Sequence, residues 1–439
     1  MVIADEKLSE LSIKGQITTT FASLSLFNYR LWFCGALISN LGAWIQRIGQ
    51  DWLVLRELTN GNGLAPAIVT ALQFIPFIAL SAYAGVLADR LPRRKLLMAT
   101  QGGQGLLAFG LGILVLTGQV RLWHVFVFAF LLGCVTAIDG PVRQTFVAEM
   151  VPQTMLSNAV GLNSASFNSS RLLGPAIAGV LIQTLGTGWT FAINGFTFVA
   201  TILGLLLMRP AQLYLVPKVE RAKGQIREAV EYVKGRRDLM MIFIVMAVIS
   251  CLGFNSQLTI ALMATKVFDR QAGQFGLLSS FFAVGALIGA LFAARRRHPR
   301  LRLILSAAFC FGVASALSAV MPSYLTFGLT GILVGLCTLT LMTGANATIQ
   351  MSTEPLMRGR VISLYLLIFQ GVTPVGSLLI GWISQQWSTR ASIGLGAIAA
   401  LVVSISALVW AHRNWHVSVR LDQVLPPHIT VEQGPEVPR

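Results

Sequence analysis

Apolar runs of roughly 20 residues recur along the whole of this chain, each long enough to cross a hydrocarbon layer ~30 Å thick as a helix. Few folds accept such runs. Backbone N–H and C=O groups in hydrocarbon have no water to bond, so each run must satisfy them internally. Hydrophobic residues fill 55% of the 439 positions and charged ones 11%. That is too little charge to cover a water-soluble surface of this size. An all-α membrane protein is expected.

Twelve transmembrane helices can be laid out. Six fall at about 30–56, 64–88, 95–118, 123–146, 157–184 and 189–208. Six more fall at about 239–265, 273–294, 301–320, 323–348, 359–386 and 390–411. The layout predicts two six-helix bundles, 30–208 and 239–411, with an amino-terminal segment 1–29, a linker 209–238 and a tail 412–439. The linker stretch Gln225 to Val233 suits a short amphipathic helix on the inner membrane surface, and the polar, proline-bearing tail suits loose order. The first 25 residues are too polar for a signal peptide.

The formal net charge of +16 does not mark a nucleic-acid binder, because the basic residues are sorted along the chain. If the chain starts inside, the outer loops hold only Arg56, Arg121, Lys266, Arg270 and Arg390 of the 33 Lys and Arg, and the membrane holds Arg47 and Arg171. The rest lie on inner segments, which places both termini in the cytoplasm of a multi-pass plasma-membrane protein. The five cysteines sit in apolar runs without CxxC spacing and read as small buried hydrophobes rather than disulfides or metal ligands.

The two halves echo each other. Gly85-x-Leu87 followed by Arg93 matches Gly289-x-Leu291 followed by Arg297 at identical spacing, and Pro175 and Pro374 take comparable places. Repeated halves about a long inner linker suit a carrier working by alternating access.

In the first span Asn40, Trp44, Arg47 and Asp51 form a single helical stripe, with Gln46 and Gln50 beside it. In the fifth, Ser164, Asn168 and Arg171 form another. An ionised group facing lipid costs roughly 2.5–3.5 kcal/mol on insertion scales, so these stripes must face protein or a water-filled cavity. Arg171 stays charged and needs an anion, supplied by Asp51, a lipid or the substrate. One reading gathers Arg47, Asp51 and Arg171 about a central cavity, where protonation of Asp51 releases an arginine and biases gating. The competing reading is a structural ion cluster. Two arginines against one aspartate favour anionic or zwitterionic compounds over strongly cationic ones.

No G-x4-G-K-[ST] occurs, which argues against a primary pump, and no H-E-x-x-H or nucleophile elbow suggests an enzyme. No cofactor or metal is implied. The partners expected are a small-molecule substrate, protons and the bilayer, with the chain acting as a monomer.

Several motifs resemble the major facilitator superfamily. The loop pattern G-x-L-a-D-R-x-G-R-[RK] is met by Gly85, Leu87, Asp89, Arg90, Arg93 and Arg94, with Pro92 replacing a glycine. The resemblance implies the superfamily fold and an inner gate latch. There Asp89 and Arg93 meet an acid at the cytoplasmic end of the fourth span, a place that Asp139 fits. Glu149 and Glu354 read as loop partners of Arg143 and Arg358. The fifth span resembles the exporter pattern G-x8-G-x3-G-P-x2-G-G through Gly161, Ser170, Gly174, Pro175, Ala178 and Gly179, which implies drug/proton antiport. Asn28-Tyr-Arg-Leu-Trp32, Gly42-Ala-Trp-Ile-Gln46, Gln73-Phe-Ile-Pro76 and Arg171-Leu-Leu-Gly-Pro175 resemble the enterobactin-exporter and macrolide-efflux branch. That resemblance implies export of drugs or siderophores. The alternatives are uptake of a metabolite, a lysophospholipid flippase or, more remotely, a non-transporting receptor or scramblase.

Overall fold

The computed structural model describes residues 21–214, 225–294, 301–415, 418–422 and 428–432. Helices dominate it. Helix α1 (Phe27–Trp52) runs into a π-helical turn, Leu53–Leu58, and is followed by α2 (Leu64–Arg90), α3 (Arg93–Leu116) and α4 (Leu122–Met150). The continuous run Leu156–Leu207 breaks at Gly186, whose φ of 82° suits glycine, and so divides into α5 (156–185) and α6 (187–207). Next come α7 (Gln225–Gly235), α8 (Arg237–Leu252) and α9 (Ser256–Leu262), which ends in a second π-helical turn, Met263–Val267. The remaining helices are α10 (Ala272–Ala294), α11 (Leu301–Val320), α12 (Tyr324–Ser352), α13 (Pro355–Gly371), α14 (Thr373–Gln386) and α15 (Thr389–Trp415). Among the described residues, nine helical stretches are long and apolar enough to cross a membrane, and the run Gln153–Leu207 is long enough to do so twice.

Two expected spans are interrupted. The run 239–265 divides at Gly253–Asn255, where the Asn255 side-chain amide donates to the Cys251 carbonyl at 2.7 Å and so covers an orphan acceptor at the end of α8. The run 359–386 divides before Pro374, which has no N–H to continue the ladder.

The chain forms two compact units. Unit 1 comprises Met1–Gly61, Leu72–Glu220 and Arg270–Ser280, and unit 2 comprises Asn62–Ala71, Arg221–Asp269 and Phe281–Arg439. The opening turns of α2 thus pack within unit 2, and those of α10 within unit 1.

Unit 1 is built on a glycine heptad. Gly35, Gly42 and Gly49 of α1 lie one above another and let α6 approach closely. A Cβ at Gly35 would stand 2.9 Å from the Thr201 Cα, and one at Gly42 would collide with Asn194 and Thr197. Polar groups then stitch the same seam. The Thr201 hydroxyl donates to the Gly35 carbonyl at 2.8 Å, and the Asn194 amide donates to Gln46 Oε1. At one end of the unit Tyr29, Trp32 and Phe146 pack in a buried cluster, with Trp32 edge-on to Phe146 at 5.7 Å between centroids.

Unit 2 uses backbone contact in the same way. Gly376 lies against the Cys251 carbonyl and Gly381 against Ala67, while the Ser377 hydroxyl donates to the Ala67 carbonyl at 3.3 Å. Helix α7 forms over the expected stretch, with Ala229 and Val233 of its apolar face buried in the core of unit 2, Ile226 exposed, and Glu228 paired with Arg360 of α13. Amphipathic spacing fixes which face is apolar and leaves open what covers it. The described residues of the tail are regular. α15 extends to Trp415, and β1 (Ser418–Asp422) pairs antiparallel with β2 (His428–Glu432).

Candidate substrate and gating residues

The stripe on α1 is held mainly by protein. Gln46, Gln50 and Asp51 are buried. The Asn40 amide donates to Ser166 Oγ of α5 at 3.4 Å, and Gln73 of α2 donates to Gln50 Oε1 at 3.4 Å. The Trp44 ring lies 6.2 Å from that of Phe167, and Gly174 gives its Cβ room. Arg47 lies over the rings of Trp44 and Phe74, 5.9 and 6.0 Å from their centroids, and is attracted by Asp51 one turn on.

On α5, Ser164 Oγ donates to the Val160 carbonyl at 2.9 Å, and the Asn168 amide donates to the Ser164 carbonyl at 2.8 Å. Both therefore use a donor on their own helix. Among the described residues, Arg171 has no hydrogen bond, ion pair or ring contact. Helices α1 and α5 do meet, through Asn40 and Trp44 on one and Ser166 and Phe167 on the other, but these α5 residues lie off its polar stripe, and among the described residues no hydrogen bond or ion pair joins Arg171 to Asp51.

The exporter-like residues of α5 serve as packing positions. Ser170 Oγ donates to the Leu37 carbonyl at 3.4 Å, and Gly174 meets Trp44, so this side of the helix holds α1. Pro175 and Gly179 face the opening turns of α10, with the Pro175 carbonyl against Gly276 and Gly179 against Ala272 and Gly273. Gly161, by contrast, has nothing within 4 Å of where a Cβ would sit.

Two of the expected latch residues, Arg93 and Asp139, have described partners. Arg93, at the start of α3, pairs with Glu149 near the end of α4. Asp139 is buried and accepts from Thr100 Oγ1 at 2.6 Å, Gln101 Nε2 at 2.8 Å and Arg143 Nε at 3.0 Å. Glu149 and Arg143, expected as partners of one another, instead take Arg93 and Asp139. The Gly85, Asp89 and Arg90 side chains lie outside the described residues.

One acid escaped sequence reasoning. Glu57, in the π-helical turn after α1, accepts from the Thr187 hydroxyl at 3.1 and 3.0 Å, just beyond the break at Gly186. Its negative charge faces the amino end of α6, which favours an anion. A carboxylate at the end of an apolar run looks like a solvated loop group, so spacing alone gave no signal.

A helical membrane scaffold carrying buried charges within its apolar helices is that of a polytopic transporter. The chain matches the family model described as "Transmembrane secretion effector" over residues 18–433, and it belongs to that family, within the major facilitator superfamily. It is 24% identical over 379 residues to the Staphyloferrin A transporter of Staphylococcus aureus, covering 86% of this chain and 94% of that protein. It is 25% identical over 388 residues to the multidrug efflux pump Tap of Mycolicibacterium fortuitum, covering 85% and 93%. It is 22% identical over 332 residues to macrolide efflux protein A of Streptococcus pyogenes, covering 73% and 80%. Among solved structures, a POT family transporter in complex with a thioalcohol-conjugated peptide superposes with a TM-score of 0.71 at 11% identity, covering 88% of this chain and 96% of that one. A bacterial homolog of the human lysosomal transporter Spinster gives 0.66 at 14% identity, covering 87% and 95%. These likenesses at low identity concern the fold. Family and relatives alike are transporters rather than enzymes, and the protein is a multi-pass membrane transporter of small molecules.

Proposed function

We propose that this protein is a proton-coupled exporter of small amphipathic molecules, drugs or siderophores among them, working by alternating access. One observation carries the exporter reading. The glycine-proline pattern that resembles exporters lies on α5, and its residues seat α1 on one side and the opening turns of α10 on the other. Relatives named as efflux pumps, aligned along most of the chain, support it.

In this reading the chain crosses the membrane twelve times, as two bundles over 30–208 and 239–411 joined by the linker 209–238. The crossings are α1 to α6, α8 with α9, α10, α11, α12, α13 with α14, and α15. Both termini are cytoplasmic, following the sorting of basic residues, and the chain acts as a monomer. Asn40, Trp44, Arg47, Gln50, Asp51, Ser164, Asn168 and Arg171 border the path, with Asp51 as proton carrier beside Arg47. Arg93 and Asp139, with Gly85, Asp89 and Arg90, belong to the inner gate.

The test is expression in a bacterial strain stripped of its own efflux pumps. Cells making the protein should tolerate higher doses of some members of a panel of antibiotics and siderophores. Everted vesicles should accumulate those compounds only while a proton gradient persists. Accumulation unaffected by a protonophore would reject proton coupling, and equal sensitivity to every compound would reject export.

A further inference from the structure

We infer that the transported molecule carries a carboxylate or a comparable anionic group, and that Arg171 is the residue that recognises it. The inference rests on the transporter reading above and names the substrate class of the same path. It follows from where the acids of unit 1 are engaged. Asp51 attracts Arg47, Asp139 accepts from Arg143, Glu149 pairs with Arg93, and Glu57 accepts from Thr187. Each described carboxylate among these helices has a neighbour of its own, whereas Arg171 has none among the described residues.

Its place on the helix adds to this. Ser170, one residue before, bonds to the backbone of α1, and the carbonyl of Leu172, one residue after, accepts from Ser280 of α10 at 3.1 Å. Arg171 therefore sits on a stretch of α5 that touches both α1 and α10, about 22 Å along the helix from Leu156. A permanently charged guanidinium with five N–H donors, set that deep, matches a carboxylate in a two-point fork. Ser164 and Asn168 have already committed a donor to their own helix, so each offers an oxygen to the rest of the ligand. Arg47, resting on two aromatic rings, adds positive potential on the neighbouring helix.

The experiment uses the full chain in lipid nanodiscs and two dyes, rhodamine B and its ethyl ester. They share one cationic ring system and differ in the carboxylate. Fluorescence anisotropy should show the acid binding at least about tenfold tighter than the ester, as expected for a charge-assisted hydrogen-bonded pair. Arg171→Gln should bring the ratio near one, and Arg171→Lys should keep part of it, with circular dichroism confirming that both variants fold. Equal binding of the two dyes by the unaltered protein, no binding of either, or a preference that survives Arg171→Gln would overturn the inference. If cells expel drugs yet no carboxylate preference exists, only this inference falls. If the preference exists and nothing leaves the cells, only the exporter reading falls.

Discussion

At the scale of single residues, the charges buried in unit 1 differ in what their removal should do. Asp139 holds Arg143, Thr100 and Gln101 together in a buried site. Asp139→Ala should destabilise the purified protein by on the order of 3 kcal/mol, because it strands a guanidinium with little access to water. Asp139→Asn, which keeps an acceptor, should lose less, and a thermal-unfolding series in one detergent would rank the two. Asp51 has a different part in the proposed mechanism. Asp51→Asn should leave the amount of protein in the membrane unchanged and abolish gradient-driven accumulation in everted vesicles. Undiminished accumulation would show that the proton enters elsewhere, with Glu57 the next acid to substitute.

At the scale of helices, close approach is decided by where a Cβ is missing. Gly42 has none to spare, since any side chain there meets Asn194 and Thr197 of α6. Gly42→Val should destabilise unit 1 by roughly 2–3 kcal/mol or prevent its assembly, as overpacking does. Gly161 belongs to the exporter-like pattern but faces open space. Gly161→Ala should therefore raise stability by up to about 1 kcal/mol, the difference in helix propensity. A shared loss in both variants would contradict this division of roles. The helices also reveal a repeat finer than the sequence motifs. The π-helical turns Leu53–Leu58 and Met263–Val267 each precede a non-glycine residue at positive φ, Asn60 (48°) and Asp269 (46°). Asn and Asp tolerate that region through local side-chain hydrogen bonds. Each half thus closes its first membrane run with the same backbone device.

At the scale of the whole molecule, the sorting of basic residues is a statement about topology that labelling can check. With the native cysteines replaced, a single cysteine at Gln119 should react with a membrane-impermeant maleimide added to intact cells. One at Lys218 should react only after the cells are opened, and the reverse pattern would invert the proposed orientation. Most of the helical scaffold was legible beforehand, because length and apolarity are properties of a run and survive without knowledge of its neighbours. The polar stripes were legible too, since helical period alone places Asn40, Trp44, Arg47 and Asp51 on one face. What a face meets is another matter. Spacing could not show that α7 would bury Ala229 and Val233 in unit 2, that Arg93 would take Glu149, or that Glu57 would reach Thr187. By itself the sequence determined a membrane-embedded helical transporter with charges too deep for lipid. Only the tertiary structure decided which charges answer one another and which, like Arg171, have no described partner. Pairing between helices depends on distances across the packed interior, which no spacing along one helix contains.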